Sequence, residues 1–188
     1  MTTEKTFTID IEQIRKRARQ HMKDGAVTAG YKADRETILR LLNGALATEL
    51  VCILRYKRHH FMSSNLGGIA GFAVTNELAN HAVEEQAHAD LIAERIVQLG
   101  GEPNFDPEGL STRSHAAYVA GGTLTEMLEE DLVAERIAID VYGEIIRYVG
   151  ERDTTTRRML EGILAQEEEH ADELSDFLQR IRLERSAQ

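Results

Sequence analysis

Apolar residues recur every seven positions in four separate stretches of the chain, and a glutamate interrupts each series once. The four series read Leu42–Glu49–Tyr56, Leu78–Glu85–Ile92, Leu128–Glu135–Tyr142 and Leu160–Glu167–Leu174. Residues seven apart lie on nearly the same face of an α-helix. The pattern therefore predicts four long helices that turn their apolar faces, each carrying one carboxylate, into a shared core.

Capping residues and glycines set the expected limits of these helices. The predicted helices span about 34–62, 72–99, 123–149 and 153–184, with Asp34, the Thr123–Glu126 capping box and Asp153 as starting signals. Residues 65–71 and Gly100-Gly101 are read as breaks, and a short helical turn is expected at 114–120. The short connections between the first and second helices and between the third and fourth helices make each of these pairs antiparallel neighbours. The long connection between the second and third helices can cross the bundle. The predicted fold class is therefore all-α, a four-helix bundle over residues 34–185.

Residues 1–33 form a predicted N-terminal extension with its own short basic helix, Ile9–Met22. The first 60 residues hold 12 Lys+Arg against 7 Asp+Glu, whereas the rest of the chain is strongly acidic and the total net charge is −10. The acid excess argues against a general polyanion binder and suits a surface that attracts cations. The short apolar runs, the polar first ten residues and a single cysteine predict a cytoplasmic protein without a membrane partner.

Four glutamates in one core require compensation. Burying a carboxylate costs several kcal/mol, and further like charges increase that cost. Either some of the carboxylates are protonated or cations lie between them. His88 follows Glu85 by three residues and His170 follows Glu167 by three, and a carboxylate with an imidazole one turn later suits a transition metal. The predicted metal ligands are Glu49, Glu85, His88, Glu135, Glu167 and His170.

Local segments around these residues resemble the ferritin-like superfamily and, within it, bacterioferritin. They are residues 41–56, Glu85-Gln86-Ala87-His88-Ala89-Asp90, residues 131–135 and Glu167-Glu168-Glu169-His170. The resemblance implies a di-iron centre with two Fe per subunit, for which Mn or Zn are alternative occupants. It implies Glu49 and His88 on one iron, Glu135 and His170 on the other, and Glu85 and Glu167 as bridges. Tyr56 is expected to support the site through a hydrogen bond or a redox role, or to be an ordinary core tyrosine.

Three departures from the bacterioferritin pattern refine these expectations. The position of that family's inner-surface iron histidine is Asn80, and the adjacent His81 is turned by about 100°, so the resemblance does not carry over that auxiliary iron site. The position of the haem-ligating methionine is Gln86, so no haem is expected. Only 18 residues follow His170, too few to complete the fourth helix and add a fifth. Together with the N-terminal extension, this layout is similar to the Dps branch of the superfamily. The resemblance therefore implies self-assembly, with a dodecamer favoured over a 24-mer, and a Dps-like protein carrying a bacterioferritin-type centre.

Other residues are assigned smaller roles. DNA binding is the less favoured expectation for the basic residues of the extension, because Asp10, Glu12 and Asp24 dilute their charge; these residues are Arg15, Lys16, Arg17, Arg19 and Lys23. A basic helix docked on an acidic neighbouring subunit explains the same pattern. Cys52 is expected to be a small buried hydrophobe and cannot supply the cysteine pair of Dps-like thioferritins. The remaining histidines without a partner at ligand spacing are predicted to lie on the surface: His21, His59, His60 and His115.

The expected function is that of a ferroxidase, which oxidises Fe(II) with O₂ or H₂O₂, stores Fe(III) in a protein shell and protects against peroxide. The first alternative is a rubrerythrin-like di-iron peroxidase or di-manganese catalase on the same bundle. A rubrerythrin normally carries a Cys-x-x-Cys module, which this sequence lacks. The second alternative is a non-catalytic shell or nucleoid-associated protein in which metal only stabilises the bundle.

Overall fold

A computed structural model describes residues 7–63 and 68–186, and these residues contain helices but no β-strand. Four long helices dominate: α2 (Arg35–Ser63), α3 (Gly68–Gln98), α5 (Leu124–Val149) and α6 (Thr154–Ser186). Two short helices, α1 (Ile11–Arg17) and α4 (Leu110–Arg113), lie outside this group, and Met22–Asp24 forms one 3-10 turn. The all-α prediction is confirmed.

The predicted capping residues begin the helices as expected. The Asp34 carboxylate accepts a hydrogen bond from the Thr37 N–H at 3.1 Å, and Asp153 accepts one from the Thr156 N–H at 3.0 Å. Thr123 and Glu126 form the complete capping box of α5. These groups satisfy N–H donors that the first helical turn would otherwise leave unpaired.

Two segments of the local prediction are wrong. The helical turn expected at 114–120 instead lies at Leu110–Arg113, where it follows Gly109 in a left-handed conformation (φ +68°). Residues 114–120 are not helical because they run along α2 and bond to it. The predicted break at 65–71 is also too long, since α3 begins at Gly68; residues 65–67 of that break lie outside the described part of the chain.

The N-terminal extension differs in part from its prediction. Its helix is shorter than Ile9–Met22, and all residues of α1 keep solvent contact. Farther along, Val27, Tyr31 and Ala33 pack against the apolar core, and the Tyr31 hydroxyl donates to Asp153 at 2.7 Å. The second half of the extension is thus attached to the bundle at the start of α6.

Contacts between distant residues give the direction of each helix. Arg55 meets Asp131 and Tyr142 meets Glu49, so α2 and α5 are antiparallel. His81 meets Glu173 and Arg95 meets Thr156, so α3 and α6 are antiparallel as well. Since α2–α3 and α5–α6 are also antiparallel pairs, α3 and α5 run in the same direction. The connection between them must return along the length of the bundle.

This long crossover, residues 99–123, runs beside α2 and is bonded to it at several levels. Asn43 Nδ2 donates to the Glu102 carbonyl (3.3 Å), the His115 N–H donates to Thr48 Oγ1 (3.0 Å), and Arg55 donates to the Ala117 carbonyl (3.2 Å). The predicted crossing of the bundle between the second and third long helices is therefore confirmed.

One of the four histidines predicted to lie on the surface is buried, and that prediction is wrong. His59 is fully buried because its Nδ1–H donates to Asp131 at 2.8 Å and its Nε2–H donates to the Ala120 carbonyl at 2.9 Å. Asp131 also accepts from Arg55 Nε at 2.8 Å, so one carboxylate compensates two buried donors. His21 and His115 are exposed, and His60 is half-buried.

Helix α2 is long and apolar enough to cross a bilayer by length and composition alone. However, 56% of the most apolar 18-residue stretch of α2 is buried inside the protein. The buried polar residues Glu49, Arg55 and His59 also lie on this helix. These features are typical of a core helix in a bundle, so the apolar character of α2 is explained by its packing.

The bundle core consists of two apolar clusters with a polar layer between them. One cluster includes Leu42, Ile92 and Leu160, and the other includes Leu78, Leu128 and Leu174. Each of the four long helices passes through the intervening layer at its seam glutamate. The candidate site therefore lies at mid-height in the bundle, closed above and below by apolar side chains.

Candidate metal centre

The polar layer contains all six predicted metal ligands, and each of them is buried with at most 2% of its surface exposed: Glu49, Glu85, His88, Glu135, Glu167 and His170. Each glutamate occupies an apolar seam position of its helix, and each histidine lies one turn after the glutamate of α3 or α6. Four different helices thus supply the group, as the heptad phase predicts.

The six side chains divide into two overlapping groups. Glu49, Glu85, His88 and Glu167 each offer one ligand atom, and these atoms all lie within 4.8 Å of one another. Glu85, Glu135, Glu167 and His170 satisfy the same condition. Glu85 and Glu167 belong to both groups. This arrangement can hold two cations, each with one outer glutamate and one histidine, joined by two shared carboxylates.

Both histidines direct Nδ1 toward the carboxylates. His88 Nδ1 lies 3.1 Å from Glu167 Oε1 and 3.4 Å from Glu49 Oε2. His170 Nδ1 lies 3.5 Å from Glu85 Oε1 and 3.6 Å from Glu167 Oε2. Ligands of a common ion lie at such mutual distances, because metal–nitrogen and metal–oxygen bonds are about 2.0–2.2 Å long.

The opposite nitrogen of each ring is held by a side chain that the sequence analysis did not single out. His88 Nε2–H donates to Gln166 Oε1 at 2.9 Å, and His170 Nε2–H donates to Glu84 Oε2 at 2.7 Å. Histidine ligands commonly donate their second N–H in this way, which fixes the ring orientation and leaves the other nitrogen for metal. Glu84 and Gln166 immediately precede Glu85 and Glu167, but no local pattern assigns them this role.

Several ligand atoms of the centre are buried without a hydrogen-bond partner. They are Glu49 Oε2, Glu85 Oε1, both carboxylate oxygens of Glu167, and Nδ1 of His88 and of His170. Buried polar atoms are almost always paired in native proteins, and a cluster of unpaired ones calls for an explanation such as an ion. The donor set of four carboxylates and two imidazoles fits iron, manganese or zinc.

Two tyrosines hold the outer glutamates from opposite helices. The Tyr56 hydroxyl donates to Glu135 Oε1, and the Tyr142 hydroxyl donates to Glu49 Oε1. Each tyrosine lies seven residues after the glutamate of its own helix and bonds to the glutamate of the other. Tyr56 thus bonds to a predicted ligand residue, on α5 and not on its own helix. Tyr142 was missed, although its identical spacing from Glu135 is a signal that could have found it.

Burial and mutual proximity separate the four carboxyls into two kinds. Burial, together with Glu85, raises the pKa of Glu49 to about 8 and raises the pKa of Glu135 well above its usual range. Burial also opposes ionisation of Glu85 and Glu167, but neighbouring side chains, including both histidines, leave the pKa of each below its ordinary value. In the metal-free centre these shifts favour protonation of the outer glutamates and ionisation of the bridging ones.

The two histidines of the centre are cationic in the absence of metal. Although burial lowers the pKa of each ring, the surrounding glutamates outweigh this effect. They raise the pKa of His170 to about 10 and move that of His88 far above its usual range. Two imidazolium ions therefore face two ionised bridging carboxylates, and this neutral arrangement allows four carboxyl groups to share one core.

Three other positions bear on the predicted site. Cys52 is buried, as expected, and burial together with Glu85 raises the pKa of its thiol. Gln86 is exposed on α3 and donates to Asp90 at 2.9 Å. His81, which follows Asn80, is fully buried beside the centre, with its ring stacked on His170 at a centroid distance of 4.1 Å.

Comparison with known proteins gives concordant results. The family model of the ferritin-like domain matches residues 39–184. The chain is 37% identical over 147 residues to a bacterioferritin of Mycobacterium tuberculosis, which covers 76% of this chain and 84% of the relative.

Two solved structures share the architecture. A dodecameric thioferritin, the bacterioferritin-related protein of Bacteroides fragilis, superposes with a TM-score of 0.78 and 32% identity over 83% of this chain and 92% of that one. The Desulfovibrio desulfuricans bacterioferritin, solved for its diiron site, gives a TM-score of 0.69 and 28% identity over 79% and 81%.

Proposed function

Because this chain belongs to the ferritin-like family, we propose that it is a ferroxidase that oxidises Fe(II) and stores Fe(III) within a shell of its own subunits. The observation that carries the proposal is the pair of overlapping ligand groups that share Glu85 and Glu167. The unpaired ligand atoms at the same place support it, because a bundle without a metal function gains nothing from burying them.

In this proposal Glu49 and His88 would hold one iron and Glu135 and His170 the other, and Glu85 and Glu167 would be shared by both. Two Fe(II) ions held together would supply two electrons at once. With two protons these electrons reduce H₂O₂ to two molecules of water, which consumes peroxide, whereas with O₂ they give H₂O₂. The apolar clusters above and below exclude bulk water from the centre. Tyr56 and Tyr142 orient the outer carboxylates, while Gln166 and Glu84 keep Nδ1 of each histidine directed inward.

The decisive experiment removes the shared carboxylates. Glu85→Ala combined with Glu167→Ala should abolish rapid Fe(II) oxidation, followed by absorbance after mixing with O₂ or with H₂O₂. Glu94→Ala, an exposed glutamate of α3, is the matched control and should oxidise iron at the wild-type rate. An unchanged rate in the double variant would refute the assignment of the centre.

Iron retention separates storage from the alternative activities. Many Fe(II) ions added per subunit with oxidant should give a soluble brown core that stays with the protein. Sustained peroxide consumption without retained iron would favour a peroxidase or a di-manganese catalase. Bound metal without oxidation would favour a non-catalytic shell, and a gel shift at two salt concentrations tests whether such a shell coats DNA.

A further inference from the structure

A second group of ligand-type side chains lies beside the centre, between α3 and α6. It consists of Glu77 and His81, one turn apart on α3, and Glu173 on α6. His81 Nε2 is 2.8 Å from Glu173 Oε2 and 3.7 Å from Glu77 Oε1, and one ligand atom from each residue lies within 4.8 Å of the others. Two ligands bonded to one ion are about 3.0–3.4 Å apart, so only small side-chain movements would bring a metal into contact with all three.

The group differs from an ordinary acidic patch because its histidine is rigid and buried. The ring of His81 is 0% exposed, stacks on His170 at a centroid distance of 4.1 Å and makes a T-shaped contact with Tyr56 at a centroid distance of 5.1 Å. The side chains of Glu77 and Glu173 are 30% and 41% exposed. A fixed imidazole inside the bundle thus faces two carboxylates that solvent reaches.

We propose that Glu77, His81 and Glu173 bind a third divalent transition-metal ion and pass it to the buried centre. One imidazole and two carboxylates form a mixed donor set that suits Fe(II), Mn(II), Zn(II) or Co(II). The delivery step rests on the proposed ferroxidase function, whereas the binding site itself does not.

The surroundings of His170 give the route from this site to the centre. His81 and His170 are stacked, and one ligand atom each from His81, Glu84 and His170 lie within 4.8 Å of one another. Glu84 is itself half-buried and reaches solvent. The centre's own six ligands are almost entirely shielded, so an ion entering here meets a continuous series of nitrogen and oxygen donors before it reaches His170.

The second nitrogen of His81 indicates that the third ion binds more weakly than the two at the centre. Within the described chain, His81 Nδ1 is buried and has no hydrogen-bond partner. A metal on Nε2 leaves the ring proton on Nδ1 unpaired, whereas His88 and His170 donate their outer N–H to Gln166 and Glu84. Weaker binding suits a site that must release its ion.

Cobalt binding tests the site without iron chemistry. Anaerobic dialysis of the assembled protein against Co(II), followed by metal analysis, should give about three ions per wild-type subunit. Glu77→Gln with Glu173→Gln should lose one of them. The matched control, Glu94→Gln with Asp176→Asn, removes the same charge from exposed positions of α3 and α6 and should lose none. His81→Gln, which keeps a polar side chain, should also lose one ion.

Two ions in the wild type, or three in both site variants, would overturn the proposal. Glu85→Ala with Glu167→Ala should lose the ions of the centre and keep the third. Consequently, a wild type that binds the third ion but fails to oxidise iron would refute the ferroxidase function and leave this binding site standing.

The proposed delivery of the third ion to the centre predicts that Glu77→Gln with Glu173→Gln raises KM for Fe(II) at unchanged kcat. Unchanged KM would overturn the delivery step.

Discussion

The two tyrosines of the centre show how one spacing, repeated on two helices, produces a symmetric environment for metal. Tyr56 on α2 donates to the glutamate of α5, and Tyr142 on α5 donates to the glutamate of α2. Both hydroxyls are buried, and both bond to outer glutamates whose pKa is raised. The two halves of the centre are therefore held in equivalent ways, and equivalent substitutions should have similar effects.

We predict that Tyr56→Phe and Tyr142→Phe each destabilise the metal-free protein by about 1–2 kcal/mol, because each leaves a buried carboxyl oxygen without its donor. Urea unfolding measured by circular dichroism tests this. Tyr118→Phe, at an exposed tyrosine of the crossover, is the control and should have no measurable effect. A large effect from only one of the two buried tyrosines would contradict the equivalence of the two halves.

Metal binding at the centre should release protons. At pH 7 Glu49, with a pKa of about 8, and His170, with a pKa of about 10, are protonated, as are Glu135 and His88, whose pKa values are also raised. Two divalent ions must displace about four protons, so binding should tighten as the pH rises from about 6 to about 8. Titration of the metal-free protein with Zn(II) in a weakly buffered solution of a pH-indicator dye measures the number of protons released. Fewer than two protons would contradict the assigned protonation.

The same pKa shifts make the stability of the metal-free protein depend on pH. The fold raises the pKa of His170 from 6.5 to about 10, so the stabilisation from this proton is complete below pH 6.5 and is lost as the pH rises through 10. Glu49, raised from 4.5 to about 8, acts in the same direction. We therefore expect the melting temperature of the metal-free protein to fall between about pH 6.5 and 10, and Zn(II) to reverse that fall. A flat profile would contradict this linkage.

Among the helices, α2 and α5 are joined by a buried network centred on one carboxylate, in addition to the two tyrosine–glutamate bonds. Asp131 accepts from Arg55 and His59, and both of these residues also bond to carbonyls of the crossover, at Ala117 and Ala120. Asp131 lies one turn before Glu135, and Arg55 precedes Tyr56. The network therefore fixes the crossover, the two helices and the outer side of the metal centre together.

Asp131→Asn should destabilise the protein by about 3–5 kcal/mol, because it leaves the buried Arg55 without its counter-ion and removes the carboxylate that His59 contacts. Asp140→Asn, at an exposed position of the same helix, should change stability by less than about 0.5 kcal/mol. Urea unfolding of the metal-free proteins makes the comparison. Equal stability of the two variants would show that the buried network contributes little.

Local signals predicted the elements well, and long-range contacts account for what was missed. Asp34, Thr123 and Asp153 cap helices through bonds to residues three positions away, so the sequence pattern alone revealed them. The heptad phase likewise predicted that the six candidate ligand residues share one layer of the core. By contrast, His59 is buried because of Asp131, 72 positions away, and His81 meets Glu173, 92 positions away. No local periodicity reports such pairs.

At the scale of the whole molecule, the subunit leaves many large apolar side chains in solvent. Examples on three different helices are Ile11 of α1, Phe61 of α2 and Phe72 of α3. Exposed apolar surface of this kind is typical of subunits that associate. The likeness to a dodecameric bacterioferritin-related protein, at 32% identity, supports self-assembly of this subunit.

The particle mass tests this assembly together with storage. Twelve subunits of 21.1 kDa give roughly 253 kDa, and a 24-mer gives roughly 506 kDa. Light scattering on the iron-free protein should give the lower value. Iron loading should raise the sedimentation rate of the particle without changing its hydrodynamic radius, because the mineral grows inside a closed shell. A mass of one or two subunits would refute storage, since an open subunit has no interior, even if Fe(II) oxidation at the centre were normal.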